Sequence, residues 1–241
     1  MDFQLVADTH THALASGHAY STLLENLHAA KAIGLSFLCY TEHGPAMEDA
    51  PRRFYFHNIK NLPDMVEGVG LLKGAEANIC DYEGTLDLPE KDLAALDWVI
   101  ASYHTQVIDP STKEDATRGW LAVAKNPLVD VLGHCGDSHY DFDQEMVVKA
   151  CKEHGKIIEI NSHSFEVRQG SKENCRSIAL LCKEYRVPVV VSSDAHFVTS
   201  IGKVGNSLAL LEEIGFPPEL ILNGEYNRFL QVVREKTGRF Q

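Results

Sequence analysis

Positive charge is scarce in this chain. Against 34 Asp and Glu it carries 22 Lys and Arg, for a formal net charge of -12 at pH 7. Such a surface repels nucleic-acid backbones and anionic membranes unless a local cationic site intervenes. No run of about eighteen apolar residues occurs, so no membrane-spanning helix is expected. The first residues lack a basic stretch followed by an apolar one, which argues against a secretory signal. Cys39, Cys80, Cys135, Cys151, Cys175 and Cys182 form no C-x-x-C pair and no tight framework. They read as reduced, buried thiols of a cytoplasmic protein. There is no low-complexity stretch, long Gly/Ser linker or internal repeat. Also missing are a G-x-S-x-G elbow and a P-loop, so serine-hydrolase and nucleoside-triphosphate chemistry lack support.

What is present is ordinary in bulk and unusual in one residue type. The 241 residues are 44% hydrophobic, normal for a globular chain of a size that α/β barrels often reach as one domain. Twelve are histidine. Short β-branched runs alternate with helix-like segments. The expected strands are 5–9, 36–41, 70–76, 98–103, 129–133, 156–161 and 187–193. Helical patterns occupy 22–34, with Leu23, Leu27, Ala30 and Ile33 or Ala29 on one face. Others are 143–154 (Asp143 as cap, Gly155 as stop), 171–185 (Ser171 as cap), 203–214 and 225–236. Alternating strands and crossover helices imply a parallel sheet, and seven units suggest a closed or nearly closed barrel.

Six of those seven strands deliver a His, Asp or Glu at the same end. His10 and His12 end the first, with His18 close behind. His43 ends the second, Glu76 the third, His104 the fourth and His134 the fifth. Asp194 and His196 end the seventh. In an α/β barrel that end is the mouth, where active sites are built. His10/His12 and Asp194/His196 are i, i+2 pairs, so each can grip one centre from a single strand. Imidazoles with carboxylates suit zinc, iron or manganese. Nine donors exceed the roughly four that one zinc takes, and suffice for about two or three ions. Glu76, the only Glu among them, is the natural bridge. Arg168, after the sixth strand, is the first choice for a cation that forks onto an anionic ligand at the mouth. Asp8 reads as the acceptor that orients a ligand histidine. Arg52 and Arg53 read as surface residues. His28 in a helix, His57 and His139 in loops and His154 at a helix end read as structural, and His163 as a residue that could line the mouth.

At these residues the chain resembles the PHP (polymerase and histidinol phosphatase) superfamily: DTHTH (8–12), TEHG (41–44), Glu76, His104, His134 and SSDAH (192–196). Within it, HAYS (18–21), GVGLLKGAEANI (68–79), EINSHSF (159–165), RQGSKENCR (168–176) and FPPELILN (216–223) are most similar to the YcdX-type metal-dependent phosphatases. The resemblance covers nearly the whole of 1–241, which it implies is a single PHP domain. It implies a distorted, seven-stranded (β/α)7 barrel, TIM-barrel-like with parallel strands, and a trinuclear metal site at its mouth. One ion would take His10, His12, Glu76 and Asp194. A second would take Glu76, His104 and His134. A third would take His18, His43 and His196. Two departures stand out: Glu42 in TEHG, where the family more often has Asp, and HCGD (134–137), where it has His-Pro-Gly. Glu42 is expected to remain a supporting acceptor and Cys135 to stay off the metal.

The expected reaction is hydrolysis of a small phosphomonoester. Hydroxide held between ions on Glu76 would attack phosphorus, since metal coordination lowers the pKa of water towards about 7. The expected cofactor is zinc, about three ions, with manganese or iron as alternatives, and the partner a small phosphorylated substrate. Membrane and nucleic-acid partners are not expected, and oligomeric state is open. A phosphodiesterase or exonuclease, an amidohydrolase-like enzyme and a non-catalytic metal-binding module are the competing readings. Three donors per ion leave room for water, which favours catalysis over a closed structural site.

Overall fold

In the computed structural model, which describes residues 4–240, the β-branched runs form eight strands. They are β1 (Ala7–Thr11), β2 (Phe37–Tyr40), β3 (Met65–Val66), β4 (Val69–Asn78), β5 (Trp98–Ser102), β6 (Val131–Leu132), β7 (Ile157–Asn161) and β8 (Val189–Ser192). The helices are α1 (Leu23–Ala32), α2 (Arg53–Asn58), α3 (Glu90–Leu93), α4 (Lys113–Lys125), α5 (Gln144–His154), α6 (Ser164–Val167), α7 (Ser171–Tyr185), α8 (Gly205–Glu213) and α9 (Tyr226–Thr237). Seven strands pair in parallel in the order β1-β2-β4-β5-β6-β7-β8, and the two-residue β3 lies antiparallel to β4. The result is a nearly closed α/β barrel of the TIM-like (β/α)7 kind. Among the described residues, no helix is long and apolar enough to cross a membrane.

The seam between β8 and β1 is closed in two ways. Near the mouth, Thr11 bridges Ala195, and the His12 amide donates to the Ala195 carbonyl at 2.9 Å. Lower down, the buried Asn223 side chain spans the gap. Its Nδ2 donates to the carbonyls of Ala7 (2.9 Å) and Val191 (2.7 Å), and its Oδ1 accepts from the Val191 amide (3.1 Å). One side-chain amide thus stands in for ladder bonds that the barrel lacks there, and pairs backbone groups that would otherwise be buried without a partner.

Helix ends follow local chemistry. A capping box opens α1, with Thr22 and Glu25 satisfying each other's backbone amides. Asp143 caps α5 and Gly155, in the left-handed conformation, stops it. Two expected details differ. Ser171 is the first helical residue of α7, not its cap, which is Gly170 without a side-chain bond. Ile33 lies past the end of α1 and is exposed. Helix α4, which no expected segment covered, is capped by Thr112 and carries Glu114 and Asp115 in its first turn.

Two cores result from the period-2 alternation of the strands. Alternate residues such as Leu38, Leu71, Val99, Leu132, Ile158 and Val189 pack outward against the helices. The intervening Phe37, Leu72, Trp98, Val131, Ile157 and Val190 form a second cluster with Phe229, Leu230 and Val233 of α9. This second core fills the barrel's lower interior. Gly74 keeps the wall close there: a Cβ would lie 2.3 Å from the Trp98 carbonyl oxygen. Two residues further on the same face stands Glu76.

Candidate metal centre

Inward-facing positions above the apolar plug are polar and buried: Glu76 and Asn78 on β4, Glu159 and Asn161 on β7. β1 runs from Ala7 to Thr11, later than expected, so His10 lies within the strand and His12 just beyond it. Likewise β4 continues to Asn78, so Glu76 sits inside it. His134 and Asp194 follow β6 and β8 with positive φ angles of 27° and 51°. Each non-glycine residue so held costs about 1–3 kcal/mol, a strain that clusters at ligand clamps and active sites.

All nine expected donors meet at the mouth. Glu76 is the hub. Its Oε1 lies 2.8 Å from His134 Nε2 and 3.3 Å from His104 Nε2. Its Oε2 lies 2.7 Å from His43 Nδ1, 3.2 Å from His10 Nε2 and 3.5 Å from His12 Nε2. Asp194 Oδ1 is 3.2 Å from His12 Nε2 and 3.5 Å from His10 Nε2. His18 Nε2 stands 3.2 Å from His43 Nε2, and the His18 and His196 rings stack at 4.8 Å. Three donor sets, each within 4.8 Å, could hold a metal ion: His12, His43 and His196; His10, His12 and Glu76; His43, Glu76 and His104. His43 therefore sits between the sets, and does not belong only with His18 and His196.

The donors fit cations better than they fit one another. His10 Nε2, both nitrogens of His12, His43 Nδ1, Glu76 Oε2 and Asp194 Oδ1 are buried and make no hydrogen bond. An unsatisfied buried polar atom costs about 1–3 kcal/mol, so such a cluster needs a partner. The imidazoles are also preset. His10 Nδ1 faces Glu159 Oε1 at 2.7 Å, His104 Nδ1 faces Asn78 Oδ1 at 2.7 Å, and His18 Nδ1 faces Asp49 Oδ2 at 2.7 Å. His196 Nδ1 donates to the Asp194 carbonyl at 2.9 Å. An Nδ1 paired in this way leaves Nε2 as the atom turned into the cluster, the arrangement of metal-ligating histidines.

The charges agree. Burial alone would raise the pKa of Glu76, but His10, His104 and His43 pull it well below the carboxylate range. Asp194 is likewise held low against burial, by His10, His12 and Arg168. Burial drives His104 down to about 4, and burial with His43 and His196 holds His12 well below its ordinary value. His10 is the exception. Burial opposes its charge, but Glu159, Glu76 and Asp194 outweigh that and raise it well above the ordinary value.

A probable phosphatase from Acetivibrio thermocellus is 44% identical over 238 residues, 99% of each chain. Another, from Caldanaerobacter subterraneus subsp. tengcongensis, is 47% identical over 241 residues, covering 99% of this chain and 95% of that one. The chain belongs to the PHP-superfamily phosphatases. The crystal structure of histidinol phosphate phosphatase from Lactococcus lactis subsp. lactis Il1403, complexed with zinc, L-histidinol and phosphate, shares the fold. It superposes with a TM-score of 0.59 at 18% identity, over 88% of this chain and 95% of that one. No family model matches.

In this PHP phosphatase Arg168 reaches the mouth from the end of α6. Its Nη1 donates to Ser164 Oγ at 2.8 Å and Asp194 Oδ2 at 3.2 Å. Arg53 is tied to Asp92, away from the site. His163 approaches His196, with ring centroids 6.4 Å apart. Asp8 does not orient a histidine, contrary to expectation. Its carboxylate accepts from the amides of Ser193 and Gly202 and from the Ser193 hydroxyl, fixing the loop that follows β8. Glu42 stands behind the donor His12, with its Oε2 4.0 Å from His12 Nδ1, and makes its hydrogen bonds to a loop. Its longer arm accepts from the amides of Ala13 and Ser16 and from the Ser16 hydroxyl, anchoring the loop between His12 and His18. Cys135 is buried in the outer apolar core. His57 lies in α2, not a loop, and His139 in a single 3-10 turn.

Glu159, Asn78 and Asp49 escaped the reading of the sequence. Glu159 was legible in principle, as a carboxylate flanked by Ile157, Ile158 and Ile160 in β7. It bonds His10, the His134 amide (2.6 Å) and the Ser192 hydroxyl (2.6 Å). We expect Glu159→Gln to weaken metal affinity about 10–100-fold, the usual cost of losing a carboxylate behind a ligand histidine. Competition with a chelating dye measures this. Unchanged affinity would make Glu159 a purely structural anchor.

Proposed function

We propose that this phosphatase hydrolyses a small phosphomonoester at a centre of about three metal ions, zinc first and manganese or iron as alternatives, with residues 1–241 acting as one domain. The observation that carries the reading is the convergence of nine donors at the barrel mouth, several of them buried without hydrogen-bond partners, beside a cavity that His18, His43 and His104 line. His10, His12, Glu76 and Asp194 would hold one ion, Glu76, His104 and His134 a second, and His18, His43 and His196 a third. Bound ions would supply Lewis acidity for phosphoryl charge and lower the pKa of water towards about 7.

The chain's own residues do the rest. Glu76 joins the donor sets. Glu159, Asn78, Asp49 and the Asp194 carbonyl hold four rings in register. Arg168 lines the cavity with His18, His43 and His104 and presents a permanent cation to phosphate oxygens. The cavity measures about 260 Å³. Ligand sites usually span about 300–1,000 Å³, so this one suits a small ester.

Phosphate release from a phosphomonoester and a phosphodiester, by protein stripped of metal and reloaded, tests the reading. Metal-restored hydrolysis of the monoester is the expected result. Preference for the diester would support a phosphodiesterase. Stoichiometric ion binding without turnover of either ester would leave a metal-binding module.

A further inference from the structure

The wall of the mouth cavity carries one histidine that the donor sets do not use. His139 follows the HCGD departure, on the turn Ser138–Tyr140. Its Nδ1 faces Asp137 Oδ1 at 2.7 Å, and the same oxygen accepts the His139 amide at 3.0 Å. The ring is thereby oriented, and Nε2 bonds to no described residue. Both residues line the cavity beside His18, His43, His104 and Arg168.

Depth separates the His139 ring from most of the donors; among them, only His18 is comparably exposed, at 42% of its side chain. His10, His12 and Glu76 are wholly buried and His43 and His104 nearly so, whereas about half of the His139 side chain is exposed. A phosphoryl group held against the donors and Arg168 would turn its ester oxygen outward, towards this rim. In-line displacement sends the leaving group away from the attacking oxygen, and an alkoxide needs a proton as it departs.

We propose that His139, oriented by Asp137, is the general acid that protonates the leaving oxygen; this rests on the phosphomonoester reading above. Other groups on the wall do not serve. Arg168 does not give up its proton in proteins. The nitrogens of His104 face Asn78 and Glu76, those of His43 face Glu76 and His18, and those of His18 face Asp49 and His43. Tyr103 points its hydroxyl at helix α4, where a Cβ on Gly119 would strike it. In the step itself, the oxygen of water bonds to phosphorus and the P–O(ester) bond breaks. Its electron pair stays on the ester oxygen, which takes the proton from His139 Nε2 and leaves as the alcohol. The attacking water gives a proton to solvent, and His139 regains one from solvent.

The test compares two esters of similar bulk on the metal-loaded enzyme: p-nitrophenyl phosphate, whose phenolate leaves without protonation, and benzyl phosphate, whose alkoxide does not. For His139→Gln, kcat/KM on benzyl phosphate falls about 10²–10⁴-fold, the range of general-acid catalysis. The loss on the nitrophenyl ester is at least tenfold smaller, so the ratio of the two activities shifts. A merely structural role would lower both together, and an equal loss overturns the proposal. So does a wild type that cleaves the nitrophenyl ester alone. Failure of the wild type on both esters instead removes the phosphomonoester reading, and the proposal with it.

Discussion

Glu76→Gln is expected to lower metal content and phosphatase activity further than any other single substitution. The amide keeps the volume and the burial of the carboxylate but removes its charge. Five imidazoles, those of His10, His12, His43, His104 and His134, lie within 3.5 Å of its two oxygens. Changing a residue one step behind a ligand costs about 10–100-fold in metal affinity, so replacing the shared carboxylate itself should exceed about 100-fold. The activity loss should survive saturating metal, because the amide cannot join the donor sets with a negative charge. Elemental analysis beside phosphate release measures both effects. Glu153→Gln, on the exposed face of α5, is the control for charge loss alone. Full metal content and normal turnover in the Glu76→Gln protein would remove Glu76 from the centre.

Chelation is expected to produce the largest change in stability. A ligand present at about a thousand times its dissociation constant stabilises the folded state by about 4 kcal/mol. For a chain of about 150–250 residues, each kcal/mol moves Tm by roughly 2–4 °C. Removing metal should therefore lower Tm by roughly 8–16 °C, and adding zinc should restore it. The physical cause lies in the orphaned atoms. Without cations, His10 Nε2, His12 Nε2, Glu76 Oε2 and Asp194 Oδ1 are desolvated and face one another with no hydrogen bond. An identical Tm before and after proven metal loss would mean that the cluster is stable as an internal network, and that ions are not part of the fold.

The donors were legible because barrel chemistry is written at strand ends. DTHTH and SSDAH each set ligand-type residues two apart, the spacing that an extended strand puts on one face, although the fold carries Asp194 and His196 past the end of β8. The supporting acceptors were less visible. Asp8 stands two residues before His10 in sequence and was the natural candidate to hold its ring, yet its carboxylate turns to Ser193 and Gly202. His10 instead reaches across the barrel to Glu159 on β7, 149 residues away in sequence and 2.7 Å away in space. Glu42 likewise holds the 13–16 loop, because its reach is one methylene longer than that of Asp. His139 looked like an ordinary loop histidine until the fold placed its turn on the cavity wall.

Sequence by itself therefore determined the class of fold, the donor types and the face they occupy. Hydrophobic period and strand-end chemistry are local properties, and each is complete within a few residues. Tertiary structure alone decided which oxygen holds which imidazole, how His43 lies between donor sets, and how Asn223 closes the seam between β1 and β8. Those outcomes depend on distances between strands far apart in the chain. The period-2 rule tells which way a side chain faces, but only the closed barrel tells what it meets there.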